Sequence, residues 1–109
     1  MTIAQTILFQ LGGQKFVTMT GSKQITDLGN GLSISLVKNP SGANVLTINY
    51  VEEDDLYKVR FSKFRAMRVN PKTGSLIPEI NETIEEYDGV YWDQLQDLFT
   101  QVTGLDTHL

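Results

Sequence analysis

From Lys15 to Val69 the chain is a succession of short runs in which apolar and polar residues alternate, and this period of two limits the fold more than any other feature. Leu32, Ile34 and Leu36 alternate with Ser33, Ser35 and Val37. Leu46, Ile48 and Tyr50 alternate with Val45, Thr47, Asn49 and Val51, and the heavier set is expected to meet the core. Tyr57, Val59 and Phe61 alternate with Lys58, Arg60 and Ser62. Successive side chains of a strand point to opposite faces, so each run buries one face and wets the other. Gly29-Asn30-Gly31 tolerates positive φ, and Asn39-Pro40-Ser41-Gly42 has the residue order of a type I turn, so these runs are linked as hairpins. An antiparallel meander is expected throughout 15–69, including Phe16 to Thr20, where Thr18, Thr20 and Ser22 read as strand-face hydroxyls.

A sheet with one apolar face needs a cover, and both ends of the chain supply one. Ala4, Ile7, Leu8 and Leu11 have helical spacing, with Thr2 placed to cap the start and Gly12 to end it. So short a helix is not stable alone in water and must dock. Tyr91, Leu95, Leu98, Phe99 and Val102 form a second helical stripe, with Asp88 as its expected cap and Gly104-Leu105 as its stop. The fold class expected is α+β, an antiparallel sheet of four or five strands with an N-terminal and a C-terminal helix packed on one face. At 109 residues, without a repeat or a linker, one domain over 1–109 is expected.

The remaining segments are turns and one ambiguous stretch. Four consecutive acids, Glu52 to Asp55, read as a solvated loop. The alternation falters at Lys63-Phe64, which predicts a bulge or bend, and Asn70-Pro71-Lys72-Thr73-Gly74 is the next turn. Pro78 disfavours a central strand, so Leu76 to Tyr87 fits a loose edge strand or a surface loop.

The residue inventory leaves little room for catalysis. There is no cysteine, hence no disulfide, thiolate ligand or thiol nucleophile. The one histidine, His108, stands next to the end of the chain, where a triad is hard to hold. The acidic loop lacks the ligand spacing and glycine of a calcium loop, and the adjacent acids Glu85 and Glu86 point apart in a strand. Gly12, Gly13 and Gly21 follow expected elements in the reverse order of a phosphate loop, which runs from strand into helix. The expectation is a chain that is not an enzyme and takes no cofactor or metal; a pocket lined by Tyr50, Tyr57 or Trp92 would be the first sign otherwise. The apolar stretch Ile7 to Phe9 has no base before it, and no run approaches the roughly 20 residues of a spanning helix, so no signal peptide and no membrane insertion are expected.

Charge is distributed unevenly. The formal net charge is −4, yet six of the nine bases, Lys58, Arg60, Lys63, Arg65, Arg68 and Lys72, fall in one acid-free stretch. From Thr73 onward there are eight acids and no base. Bases interleaved with Tyr57, Phe61 and Phe64 suit tracking of a phosphate backbone with stacking of bases. Equally, the rings can belong to the core and the bases can pair with the acidic segments across neighbouring strands. Both readings stand at this stage.

Three segments, Leu11-Gly12-Gly13-Gln14-Lys15-Phe16-Val17-Thr18-Met19-Thr20-Gly21-Ser22-Lys23, Asp55-Leu56-Tyr57-Lys58-Val59-Arg60-Phe61-Ser62-Lys63, and Val90-Tyr91 through Gln94-Leu95-Gln96 to Phe99 and Thr103-Gly104-Leu105, together resemble a family of small uncharacterised proteins encoded by bacteriophages and mobile elements. The sequence departs from that pattern in a longer stretch near Asn70 to Ile80. The resemblance implies a small domain in a phage or mobile-element setting, and it brings no catalytic motif. The expected function is therefore a non-enzymatic accessory protein in the cytoplasm of a bacterial host, counter-defence or regulatory in character, that binds a host or phage protein. The alternative is binding of single-stranded or structured nucleic acid through Lys58, Arg60, Lys63, Arg65, Arg68 and Lys72. A homodimer is open to a chain with a strand edge and a terminal helix.

Overall fold

The computed structural model describes residues 2–21 and 23–105, with the side chain of Lys23 left aside; Ser22 and His108 lie outside the described residues. The first helix, α1, is Ile3–Leu11. Its start is a reciprocal cap: the Gln5 N–H donates to Thr2 Oγ1 at 3.1 Å, and the Thr2 N–H donates to Gln5 Oε1 at 2.9 Å. Ala4, Ile7 and Leu11 are buried, as the spacing requires.

Residues Gln14–Thr20, expected as a strand, form a second helix, α2. Gly12 and Gly13, both at positive φ, turn the chain between the helices, and Gly21 at φ 65° ends α2. In this frame Phe16 and Thr20 stand one turn apart and are both buried, and the Thr20 hydroxyl donates to the Phe16 carbonyl at 2.6 Å. Strand propensity in Val17 and Thr18 is a weak preference, and packing of Phe16 outweighs it. Thr18 is consequently on the helix surface and not on a sheet face.

The sheet has five antiparallel strands: β1 Lys23–Asp27, β2 Gly31–Ser35, β3 Val45–Val51, β4 Leu56–Arg65 and, after the two-residue strands β5 Arg68–Val69 and β6 Leu76–Ile77, β7 Ile80–Val90. Its order is β1-β2-β3-β4-β7, while β5 and β6 pair only with each other. Leu32, Ile48 and Val59 stand opposite one another, as do Ile34, Leu46 and Phe61, and all six are buried. They form the floor on which α1 and the last helix rest. The Asn39 to Gly42 turn closes with the Gly42 N–H on the Asn39 carbonyl, as the sequence order predicts.

The bend expected at Lys63-Phe64 lies slightly earlier. Phe61 is opposite Glu85 and Ser62 opposite Thr83, so the extra residue is Ile84 on β7; a second shift lies between Tyr57 and Val59. The stretch 76–87 resolves as an edge strand, with Pro78 separating β6 from β7.

The last helix, α3, is Leu95–Thr103, entered through a 3-10 turn at Trp92–Gln94. Asp88 does not cap it: β7 stays paired as far as Val90, opposite Tyr57, and leaves Asp88 within the strand. The start is held instead by the Tyr91 N–H donating to Gln94 Oε1 at 3.0 Å. Tyr91 is accordingly exposed, outside the stripe assigned to it, whereas Leu95 and Phe99 are buried and Leu98, Val102 and Leu105 pack half-buried against the core. Phe99 meets Phe16 edge to face at 5.0 Å, which ties α3 to α2. Among the described residues no helix is long and apolar enough to cross a membrane.

Candidate functional site

The uneven charge of the sequence becomes a projecting arm. β3 pairs with β4 only as far as Ser62, opposite Val45, so from Lys63 onward the β4–β7 hairpin has no third strand beside it. Asn44 takes the place of the missing strand. Its Nδ2 donates to the Phe64 carbonyl at 2.7 Å and its Oδ1 accepts the Phe64 N–H at 2.8 Å. Apart from these bonds at Phe64 and one from Arg60 to Asn81, the strand pairing of residues 63–82 is internal: Lys63 opposite Glu82, Phe64 opposite Asn81, Arg65 opposite Ile80, then Arg68 opposite Ile77 and Val69 opposite Leu76. The tip is tied by the Asn70 N–H on the Ser75 carbonyl and the Gly74 N–H on the Asn70 carbonyl, each at 2.8 Å.

The arm makes the molecule long. Its radius of gyration is 15.1 Å, against about 13 Å for a compact chain of this length, and its extents are 49 × 33 × 23 Å. Met67, Val69 and Leu76 on the arm are 62%, 58% and 65% exposed. A shallow hollow of about 400 Å³ at the tip is lined by Arg68, Val69, Asn70, Pro71, Lys72 and Ile77. The sequence alone does not single out these apolar residues, although the lost alternation at 63–64, the 70–74 turn and Pro78 are the signals that bound them.

The six candidate cations divide into two groups. Lys58 and Arg60 lie on the sheet face away from the helices. Lys58 Nζ is 3.5 Å from Glu86 Oε1. Arg60, opposite Glu86 in register, donates from Nε to Thr83 Oγ1 at 2.9 Å and from Nη2 to Asn81 Oδ1 at 3.4 Å. Lys63 stands opposite Glu82 at the root of the arm. Arg65, Arg68 and Lys72 are exposed on the arm, and among the described residues no carboxylate is within ion-pair distance of them. The aromatic half of the expected site does not survive, because Tyr57 and Phe61 are buried in the core and Phe64 alone of the three is exposed.

The uncovered sheet face is polar, with Ser33, Thr47, Arg60 and Glu86 aligned across four strands. On the other side, Tyr50 and Tyr57 line a small cleft with Ile3, Thr6, Gln10 and Asp55, and Trp92 is elsewhere. The hydrogen bond from Tyr50 to the Asp55 carboxylate, 2.5 Å, raises the Tyr50 pKa above its ordinary value, and burial raises that of Tyr57, offset by its hydrogen bond to Gln10. Both phenols are thereby kept in the neutral, hydrogen-bonding form to higher pH than a free tyrosine. Among the described residues no three acidic or histidine side chains gather around a point that would hold a metal ion. Compared with family models, curated proteins and solved structures, the chain matches none.

Proposed function

We propose that this chain is a non-enzymatic accessory protein of a phage or mobile element, working in the cytoplasm of its bacterial host by binding a macromolecule through the arm 63–82. The observation that supports this is the arm itself. It places exposed apolar and cationic side chains outside the buried core, at the end of the β4–β7 pair and beyond it. Solvent-exposed apolar residues grouped on a projecting element mark contact surfaces. The sequence favours a host or phage protein as partner. The second reading, nucleic acid, is favoured by one feature: Arg65, Arg68 and Lys72 have no acid opposite them, whereas Arg60 and Lys63 stand opposite acids and Lys58 is ion-paired with Glu86.

The test is to replace residues 66–79 by Asn-Gly, which closes a tight hairpin between the paired residues Arg65 and Ile80. The shortened protein is expected to keep its circular dichroism and melting temperature and to lose the partners that the intact protein retains from host lysate. Unchanged capture by the shortened protein would refute the role of the arm.

A further inference from the structure

We infer that the arm is a ribbon that lies in a groove of double-stranded DNA, held on the phosphates by Arg65, Arg68 and Lys72. The inference rests on the reading of the arm as the binding element and assigns its partner. Residues 63–82 hold four of the nine bases and two of the thirteen acids, a balance of +2 that leaves −6 on the remainder. A polyanion attracts the arm and repels the body, so contact is confined to the ribbon. A protein partner would have to carry its own acidic surface and exclude the same acidic body, whereas phosphates meet the requirement on every DNA sequence.

Form points to a duplex. A two-stranded ribbon fits the major groove of B-form DNA, about 12 Å wide, and the five residue steps from Arg65 to Asn70 would span at most roughly 17 Å if fully extended, about five base-pair steps. Val69 and Leu76, opposite each other on one face of the ribbon, then meet sugars and base edges, where thymine methyls offer apolar surface, while Arg68 reaches past the ribbon edge from the other face and Arg65 and Lys72 reach the phosphates from its root and tip. Single strands are held by stacking on exposed rings, and the arm has one ring, Phe64, at its root. The major groove of duplex RNA is too deep and narrow to admit the ribbon.

The experiment is fluorescence anisotropy of the full chain with a labelled DNA duplex of about 20 base pairs, the corresponding single strand and the corresponding RNA duplex. Three phosphate contacts give a slope of about −2.7 in log affinity against log salt, so affinity for the DNA duplex is expected to fall roughly 40-fold between about 50 and 200 mM salt. The single strand and the RNA duplex are expected to bind at least about tenfold more weakly, since each lacks the groove. Arg65→Glu, Arg68→Glu and Lys72→Glu together should abolish binding with the melting temperature unchanged, because exposed bases contribute little to folding. Absence of DNA binding at low salt, equal binding by the triple variant, or a single strand held as tightly as the duplex would overturn the inference. If DNA fails while the 66–79 replacement still loses a nuclease-resistant protein partner, the arm remains the binding element and DNA is not its partner. If that replacement loses nothing, the arm reading itself falls.

Discussion

Phe99 offers the sharpest test of how the helices hold the sheet. The ring is 1% exposed, 5.0 Å from Phe16 at an interplanar angle of 69°, and 6.5 Å from Phe61. It thus joins α3 to α2 above and to β4 below. Full burial of a phenylalanine ring contributes about 3 kcal/mol. Truncation to alanine also leaves a hole walled by two further rings that a helix lying on a sheet closes only in part, so the whole cost is about 3 to 5 kcal/mol. Loss of the two ring–ring contacts is part of that cost and puts Phe99→Ala in its upper part, about 4 kcal/mol or more. Urea denaturation followed by tryptophan fluorescence and circular dichroism measures this directly, with Phe9→Ala as control, since Phe9 is 73% exposed and should cost below about 0.5 kcal/mol. A double-mutant cycle with Phe16→Ala should return a coupling of about 0.5 to 1.5 kcal/mol. A loss below about 1.5 kcal/mol for Phe99→Ala would mean that α3 is not seated on the core and would refute the packing described.

Gly31→Ala should destabilise by at least about 2 kcal/mol in a thermal melt, because its Cβ would stand 2.1 Å from the Ile48 carbonyl oxygen and 2.8 Å from the Asn49 Cα, backbone atoms that cannot step aside. The pKa of Tyr57 is raised from 10.0 chiefly by burial, so its stabilising contribution is complete below pH 10 and is lost as pH rises through the folded-state value; Tyr57→Phe should flatten that alkaline decline in denaturation midpoints. Arg60→Glu, which sets two acids opposite each other at Glu86 and removes the bond to Thr83, should lower the unfolding free energy measured in urea by up to about 1 kcal/mol, whereas Arg65→Glu, opposite Ile80, should leave it unchanged.

What the sequence conveys, it conveys through periodicity. The alternation at 32–36, 45–51 and 57–61 fixes which face of each strand is buried, and the stripe Leu95, Phe99 together with Gly104 fixes α3, because in each case one face must leave water and the spacing says which. Gln14–Thr20 misleads for the converse reason: seven residues with two buried positions satisfy either period, and local propensity in Val17 and Thr18 points to a strand until Phe99 supplies a partner for Phe16. Asp88 misleads because a capping residue is defined by where the preceding strand stops, and the pairing of Val90 with Tyr57 decides that at long range. The arm was half legible. Its bases and its turn are plain, but which bases face an acid depends on the register of β4 against β7, shifted twice, and the faltering alternation at 63–64 signals only one of these shifts and not that the extra residue is Ile84 on the partner strand.

An exposed ribbon with free backbone edges and bare Met67, Val69 and Leu76 is a template for pairing with another copy, and proteins guard such edges with charge and proline. Arg65, Arg68 and Lys72, with Pro71 and Pro78, fit that guarding role as well as they fit phosphate binding. The two roles respond differently to the sign of the charge. Guarding works by mutual repulsion between copies and is served equally by acids, so the Glu triple variant should stay dispersed in light scattering, while a Gln triple variant should associate as concentration rises. Phosphate binding is lost in both. If the Glu variant associates as readily as the Gln variant, repulsion is not what keeps the arm apart, and the cations stand on the arm for their partner alone. If instead the Gln variant also stays dispersed, the prolines and the shortness of the two-residue strands β5 and β6 suffice to guard the edge, and three cations without opposing acids have the arm's partner as their remaining physical use.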